Sequence, residues 1–221
     1  MSLVSVDNLR KTFEVNAKFY YASVNGESFL MRREARITRK NVVQEKSDAV
    51  VVMINPGSCK PSIKLNETTS NQMEFVPADS DQTQEQLMNL MIRKNWNVLV
   101  ILNLSDICEG NLDRFKSIEK KFTAAGVPHS IFQDVNALER DMLLSATEHL
   151  IFAWGSSLTA KRLAKEFMLY DKGVASTDYK HMVAWIHYEK LFPRHPRPAL
   201  IADRITWLDV MESLLLEVPQ S

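Results

Sequence analysis

Residues 49–60 read AVVVMINPGSCK, and the fold turns on how this stretch is interpreted. Val50, Val51, Val52, Met53 and Ile54 form an unbroken apolar, largely β-branched run, which Asn55-Pro56-Gly57-Ser58 brings to a stop. A run without polar alternation suits a strand buried on both faces, as in the middle of a parallel sheet. In open α/β sheets ligands bind in the crevice beyond the carboxyl ends of the strands, where Asn55 would present a side-chain amide and Gly57 a bare backbone. The plainer alternative is that Asn-Pro-Gly is turn chemistry alone.

Upstream, Val6, Leu9 and Phe13 have roughly helical spacing. Phe19, Tyr20, Tyr21 and Val24 lead into Asn25-Gly26, and Phe29, Leu30 and Met31 follow, so a type I′ hairpin is expected over residues 17–36 as an extension at the edge of the sheet. The basic residues after it, Arg32, Arg33, Arg36, Arg39, Lys40 and Lys46, read as a solvated strand end or as a phosphate-binding surface. Residues 61–81 are polar, weakly patterned and long for a loop, as functional loops tend to be. The run DQTQE at 81–85 then supplies capping residues for a helix carrying Leu87, Leu90, Met91 and Trp96.

A second buried strand, VLVILNL at 98–104, again ends near an asparagine, Asn103. A helix is expected over 112–125, stopped by Gly126, with a short strand at 130–132 and another helix over 136–146. Strand 150–154, helix 158–170, strand 183–187 and a closing helix over 206–218 complete the alternation. This order implies a three-layer α/β/α sandwich with a mostly parallel, four-stranded central sheet, in one domain spanning residues 1–221.

Charge and cysteine usage narrow the function classes. Lys plus Arg equals Asp plus Glu at 27 each, so no net field draws the chain to nucleic acid or an anionic membrane, and any such contact needs a local patch. The two cysteines, Cys59 and Cys108, are too few for a disulfide framework, and with no signal peptide or membrane-spanning run the expectation is a cytoplasmic protein without membrane contact. His129, His149, His181 and His187 lack metal-ligand spacing with the cysteines, and no cofactor is expected; the run WGSSLTAK at 154–161 lacks the glycines of a phosphate-binding loop.

The remaining candidates lie near the end of the chain, in LFPRHPRPAL at 191–200. Pro193, Pro196 and Pro198 forbid helix and stiffen the segment, so His195, Arg194 and Arg197 would be held at the same rim as Asn55 and Asn103. There a histidine can donate to developing negative charge and the arginines can take phosphate; alternatively this is a capped surface loop with solvated arginines.

Four stretches in this order resemble motifs of the uracil-DNA glycosylase superfamily. Met53-Ile54-Asn55-Pro56-Gly57 is similar to the GINPG water-positioning motif of the mismatch-specific branch, and Val100-Ile101-Leu102-Asn103 to the LLLN run. Ile151-Phe152-Ala153-Trp154-Gly155 resembles the strand ending LLWG, and His195-Pro196-Arg197-Pro198 the HPSP loop. The resemblance covers roughly residues 50–216. The chain looks closer still to a group of bacterial proteins of unassigned activity that share NP, NL, WG and HP motifs and a D-x-T helix start.

The superfamily resemblance implies that the chain binds a nucleobase, nucleotide or DNA and hydrolyses an N-glycosidic bond, as in DNA repair. Asn55 would hold the attacking water, Gly57 would let the base approach, Asn103 would read the base edge, and His195 would steady the departing base, with Arg194 and Arg197 near phosphate. The departures are specific. Asn55 stands where an activating aspartate would speed the chemistry, Arg197 replaces a phosphate-gripping serine, and Ala199 occupies the place of the leucine wedge that helps extrude a base. An aromatic platform under the base has only Phe75 as a nearby candidate. Lost catalysis would leave a nucleotide-binding or nucleic-acid-binding module. Independently of the resemblance, Cys59 could serve as a hydrolase nucleophile if His195 faced it, and Asp79 or Asp81 could cap a helix or supply a general base.

Overall fold

The computed structural model describes residues 2–65, 73–179 and 182–216. His181, the middle of the 61–81 segment and the end of the expected closing helix at Val218 lie outside the described residues. In chain order the elements are α1 (Val6–Thr12), β1 (Phe13–Val24), β2 (Glu27–Arg39), β3 (Ser47–Met53), β4 (Phe75–Pro77), α2 (Gln82–Lys94), β5 (Val98–Asn103), α3 (Leu112–Ala124), α4 (Ala137–Ser145), β6 (Thr147–Phe152), α5 (Leu158–Glu166), β7 (Tyr170–Asp171), β8 (Val174–Ala175), β9 (Met182–Val183) and α6 (Ile201–Leu214).

The main sheet is mixed and has seven strands, in the order β4-β1-β2-β5-β3-β6-β9, and β7 with β8 forms a separate two-stranded hairpin. The expected four-stranded sheet is therefore too small. β3 pairs in parallel with β5 and β6, and β6 with β9, whereas β1, β2 and β4 pair antiparallel. The unbroken apolar run of β3 is explained by burial on both sides. Ala49, Val51 and Met53 join a core containing Leu9 of α1, Leu87 and Met91 of α2, and Trp207 and Met211 of α6. Val50 and Val52 join a second core with Phe115 and Phe122 of α3 and Leu163 of α5.

The hairpin forms as expected at Asn25-Gly26, where both residues have positive φ (53° and 78°), as a type I′ turn requires. It is longer than residues 17–36 and lies inside the sheet, because β2 pairs with β5 and β1 with β4. A bulge interrupts it: Lys18 opposes Glu34 and Phe19 opposes Arg32, so Arg33 is the extra residue. One added residue reverses the side-chain alternation beyond it. Met31 consequently enters the second core, while Ala35 and Ile37 enter the first.

Three further expectations are corrected. Residues 130–132 form a turn, followed by a 3-10 turn at Asp134–Asn136, in place of a strand. The strand expected at 183–187 contributes only β9 to the sheet, because the chain folds back on itself: Ile186 bridges to Pro193 and His187 N donates to Phe192 O. The last helix begins at Ile201, before the expected Thr206, where Arg204 Nε donates to Pro198 O and Nη2 to Ala199 O. Among the described residues no helix is long and apolar enough to cross a membrane.

Candidate functional site

The pairing of β3 with β5 continues past both strand ends. Leu104 N donates to Met53 O (2.8 Å) and Ser105 N to Ile54 O (3.0 Å), which lays the Asn55 turn beside residues 105–109. Asn55 Nδ2 donates to Ile107 O (3.3 Å) and Glu109 O (2.6 Å), stitching the two segments together. Asn103 is 0 % exposed. Oriented by its neighbours, its Nδ2 donates to Asn55 O (3.1 Å) and its Oδ1 accepts from Arg32 Nη2 (3.2 Å). The two asparagines do come together, but as a clamp: the Asn103 amide is enclosed by protein on both ends, and only the Oδ1 of Asn55 is left to accept a bond.

Gly57 turns the chain with φ 65°, and a Cβ there would lie 3.4 Å from Asp81 Oδ2. Asp81 is the N-cap of α2; its Oδ1 accepts from Thr83 N and Gln84 N (2.9 Å each), and Gln84 Oε1 accepts from Asp81 N. One oxygen therefore caps the helix while the other faces Gly57. His195 packs against Gly155, where a Cβ would meet the His195 Cβ at 3.4 Å in ordinary contact, so the φ of 81° is what calls for glycine there. His195 Nδ1 accepts from Arg197 N (3.1 Å), so in the neutral ring the proton sits on Nε2. Burial lowers the His195 pKa, against an upward pull from the Asp81 carboxylate. The rim thus carries the Asp81 carboxylate facing Gly57 and, packed on Gly155, a neutral imidazole donor that feels its charge.

The arginines of this loop serve it differently. Arg194 stacks its guanidinium on Trp185 (4.5 Å), its backbone N donates to Trp185 O and its carbonyl accepts from Trp207 Nε1 (3.3 Å), so it packs the loop. Arg197 meets His195 through its backbone and keeps a half-buried side chain. Phe75 is not at this rim; on β4 it opposes Lys18, and its ring carries the cations of Lys18 (4.8 Å) and Arg36 (4.9 Å).

Beside Gly57 opens a cleft of about 690 Å³, lined by Gly57, Ser58, Lys60, Lys64, Cys108, Glu109, Gly110 and Arg114, with Tyr21 and Leu30 of the hairpin as a less polar wall. Among the described residues its cations outnumber its carboxylates, of which Glu109 is approached by Arg114 Nε at 3.3 Å. Burial pushes the Cys108 thiol up, so it stays protonated. Cys59 is 1 % exposed and accepts from Gln84 Nε2 at 3.5 Å, an enclosed position without the access a nucleophile needs. Among the described residues no group of three His, Cys, Asp or Glu side chains is placed to hold a metal.

Sequence reasoning missed a buried charge network. Arg32 and Arg33 are not solvated; they are 2 % and 6 % exposed. Arg33 Nη1 lies 3.0 Å from Asp106 Oδ2, to which Tyr20 donates at 2.7 Å, and Arg33 Nε lies 3.5 Å from Glu139. Burial pushes the Asp106 carboxyl up to about 7 against the opposing pull of Arg33 and Tyr20. Burial and Asp106 likewise push the Tyr20 phenol up. The available signal was an arginine pair set between Met31 and Glu34-Ala35 within a strand, with an aspartate just past the end of a neighbouring strand.

No family profile and no curated protein matches the chain. Among solved structures, an Acidobacteriales bacterium glutaminyl cyclase aligns over 95 % of this chain and 78 % of its own, at 11 % identity and a TM-score of 0.36, a likeness too slight to carry an argument.

Proposed function

We propose that the chain binds a phosphate-bearing nucleotide in the cleft beyond the carboxyl ends of β3 and β5, in keeping with its resemblance to the uracil-DNA glycosylase superfamily. The observation that carries this reading is the 690 Å³ cleft itself, with Lys60, Lys64 and Arg114 on its wall and the bare backbone of Gly57 at its edge. Ammonium and guanidinium groups suit phosphate oxygens, the face of Tyr21 suits a planar base, and a side chain on Gly57 would crowd the approach. Deoxyuridine monophosphate titrated against the protein is expected to bind saturably. Substituting Lys60→Ala together with Lys64→Ala is expected to weaken that binding about tenfold or more. Equal affinity in the double variant would remove the reading.

A second reading, hydrolysis of the N-glycosidic bond of a nucleotide or of DNA, is favoured by the Asp81 carboxylate at Gly57 and the neutral His195 imidazole at Gly155, close enough for the carboxylate to act on the ring. In that chemistry Asp81 takes a proton from a water that Asn55 Oδ1 helps to orient. The water oxygen bonds to the sugar C1′ as the C–N bond breaks, and His195 Nε2–H donates to the base as it leaves with the electron pair. Asn103 then contributes by holding Asn55 and Arg32, without touching the base. Uracil-containing oligonucleotides test this. Free uracil is expected from the wild type, with loss of about 100-fold or more in Asp81→Asn, which keeps the helix cap. Absence of base release from single-stranded and duplex substrates would leave binding without excision.

A further inference from the structure

A hollow of about 200 Å³ lies behind the Trp154-Gly155 turn, between the start of α5, the β7–β8 hairpin and residues 190–193. It is smaller than the roughly 300–1,000 Å³ of sites for drug-sized ligands. Among the described residues three ammonium-bearing side chains line it, Lys161, Lys172 and Lys190, against one carboxylate, Asp171, which is paired with Lys165 (3.1 Å). Lys161 Nζ reaches Lys190 O at 3.3 Å and lies over the Phe192 ring at 5.4 Å. Among the described residues, Lys172 and Lys190 have no ion pair. Lys172 is fixed at the hairpin tip, where it and Gly173 both take positive φ (49° and 88°), and Leu191 opposite Gly173 does the same (49°). A lysine and a leucine held in that conformation are costly local choices.

An independent observation comes from the wall. Tyr170 lines the hollow and is 6 % exposed, yet its hydroxyl is buried without a hydrogen-bond partner. Burial pushes its pKa up to about 12, so the group remains a donor. A buried donor without an acceptor is destabilising until an acceptor arrives, and a phosphate oxygen is an acceptor of the charge that the lysines favour.

We propose that this hollow is a binding site for a phosphate-type oxyanion, either inorganic phosphate or the terminal phosphate of a monoester, held by Lys161, Lys172 and Lys190 with Tyr170 as the buried donor. It is separate from the cleft beside Gly57 and does not rest on nucleotide binding there. Inorganic phosphate is titrated into the intact protein by calorimetry, with sodium chloride at equal ionic strength as reference and ribose 5-phosphate as a second arm. In the Lys60→Ala, Lys64→Ala background, which removes phosphate contacts of the cleft beside Gly57, saturable heat with phosphate over chloride is expected, lost on adding Lys161→Ala with Lys172→Ala and weakened several-fold to about tenfold on adding Tyr170→Phe. Equal binding of ribose 5-phosphate identifies a monoester as the ligand; its exclusion identifies the free ion. Heat no larger than that of chloride in that background, or undiminished binding on adding the Lys161 and Lys172 substitutions, would overturn the proposal.

Discussion

Arg32 and Arg33 are adjacent in the chain, yet one ends on Asn103 and the other on Asp106, and both are enclosed. Such groups are costly unless paired, so the neighbours that satisfy them carry weight. Asn55 shows the same economy, because its amide nitrogen serves two carbonyls of the facing segment. Asn55→Ala is expected to cost about 1–3 kcal/mol in urea unfolding, since it strands those carbonyls; a loss too small to measure would mean that water replaces the amide. Asp106 makes a pH prediction. Its folded pKa of about 7 lies above the ordinary value of 3.8, so the native state holds the extra proton between those values, and stability is full at the acidic end and falls as the pH rises through about 7. Relative to Asp106→Asn, the wild type is expected to lose up to ~4 kcal/mol from about pH 4 to pH 8, at ~1.4 kcal/mol per unit of pKa. Parallel stability profiles for the two proteins would refute it.

At the scale of elements, the cap of α2 joins folding to the candidate site, because one carboxylate both starts the helix and faces Gly57. Asp81→Ala is expected to cost about 1 kcal/mol and Asp81→Asn only a few tenths, read from thermal unfolding. Elements with local signals were legible in the chain: Asn25-Gly26 specified its turn, Asp81 its helix start, and the apolar runs of β3 and β5 their burial. The bulge at Arg33 was not, because an extra residue in one strand leaves no mark until its partner strand is known. Residues 183–187 have the composition of a strand, but which edge they pair with is a tertiary choice, and most of them went to their own return loop. The placing of the hairpin within the sheet, and so the burial of both arginines, was hidden for the same reason.

For the whole molecule, β3 lies between two apolar cores and delivers its polar turn to the rim where the segments after β5 and β6 also end. The resemblance pointed to Asn55, Asn103 and His195 as a converging trio. The amides meet each other, and His195 joins the rim through Gly155 and the field of Asp81. What the sequence could not disclose was how much of each polar group would be spent inside the fold, since that depends on contacts between segments some fifty or more residues apart. On the proposed reading, the cations of the cleft supply the contacts to a bound nucleotide. Calorimetric titration of deoxyuridine monophosphate against the wild type and the Lys60→Ala, Lys64→Ala variant tests this most directly. Saturable binding that the paired substitution weakens about tenfold or more is expected; no binding, or the same affinity in both proteins, would remove nucleotide binding at this cleft.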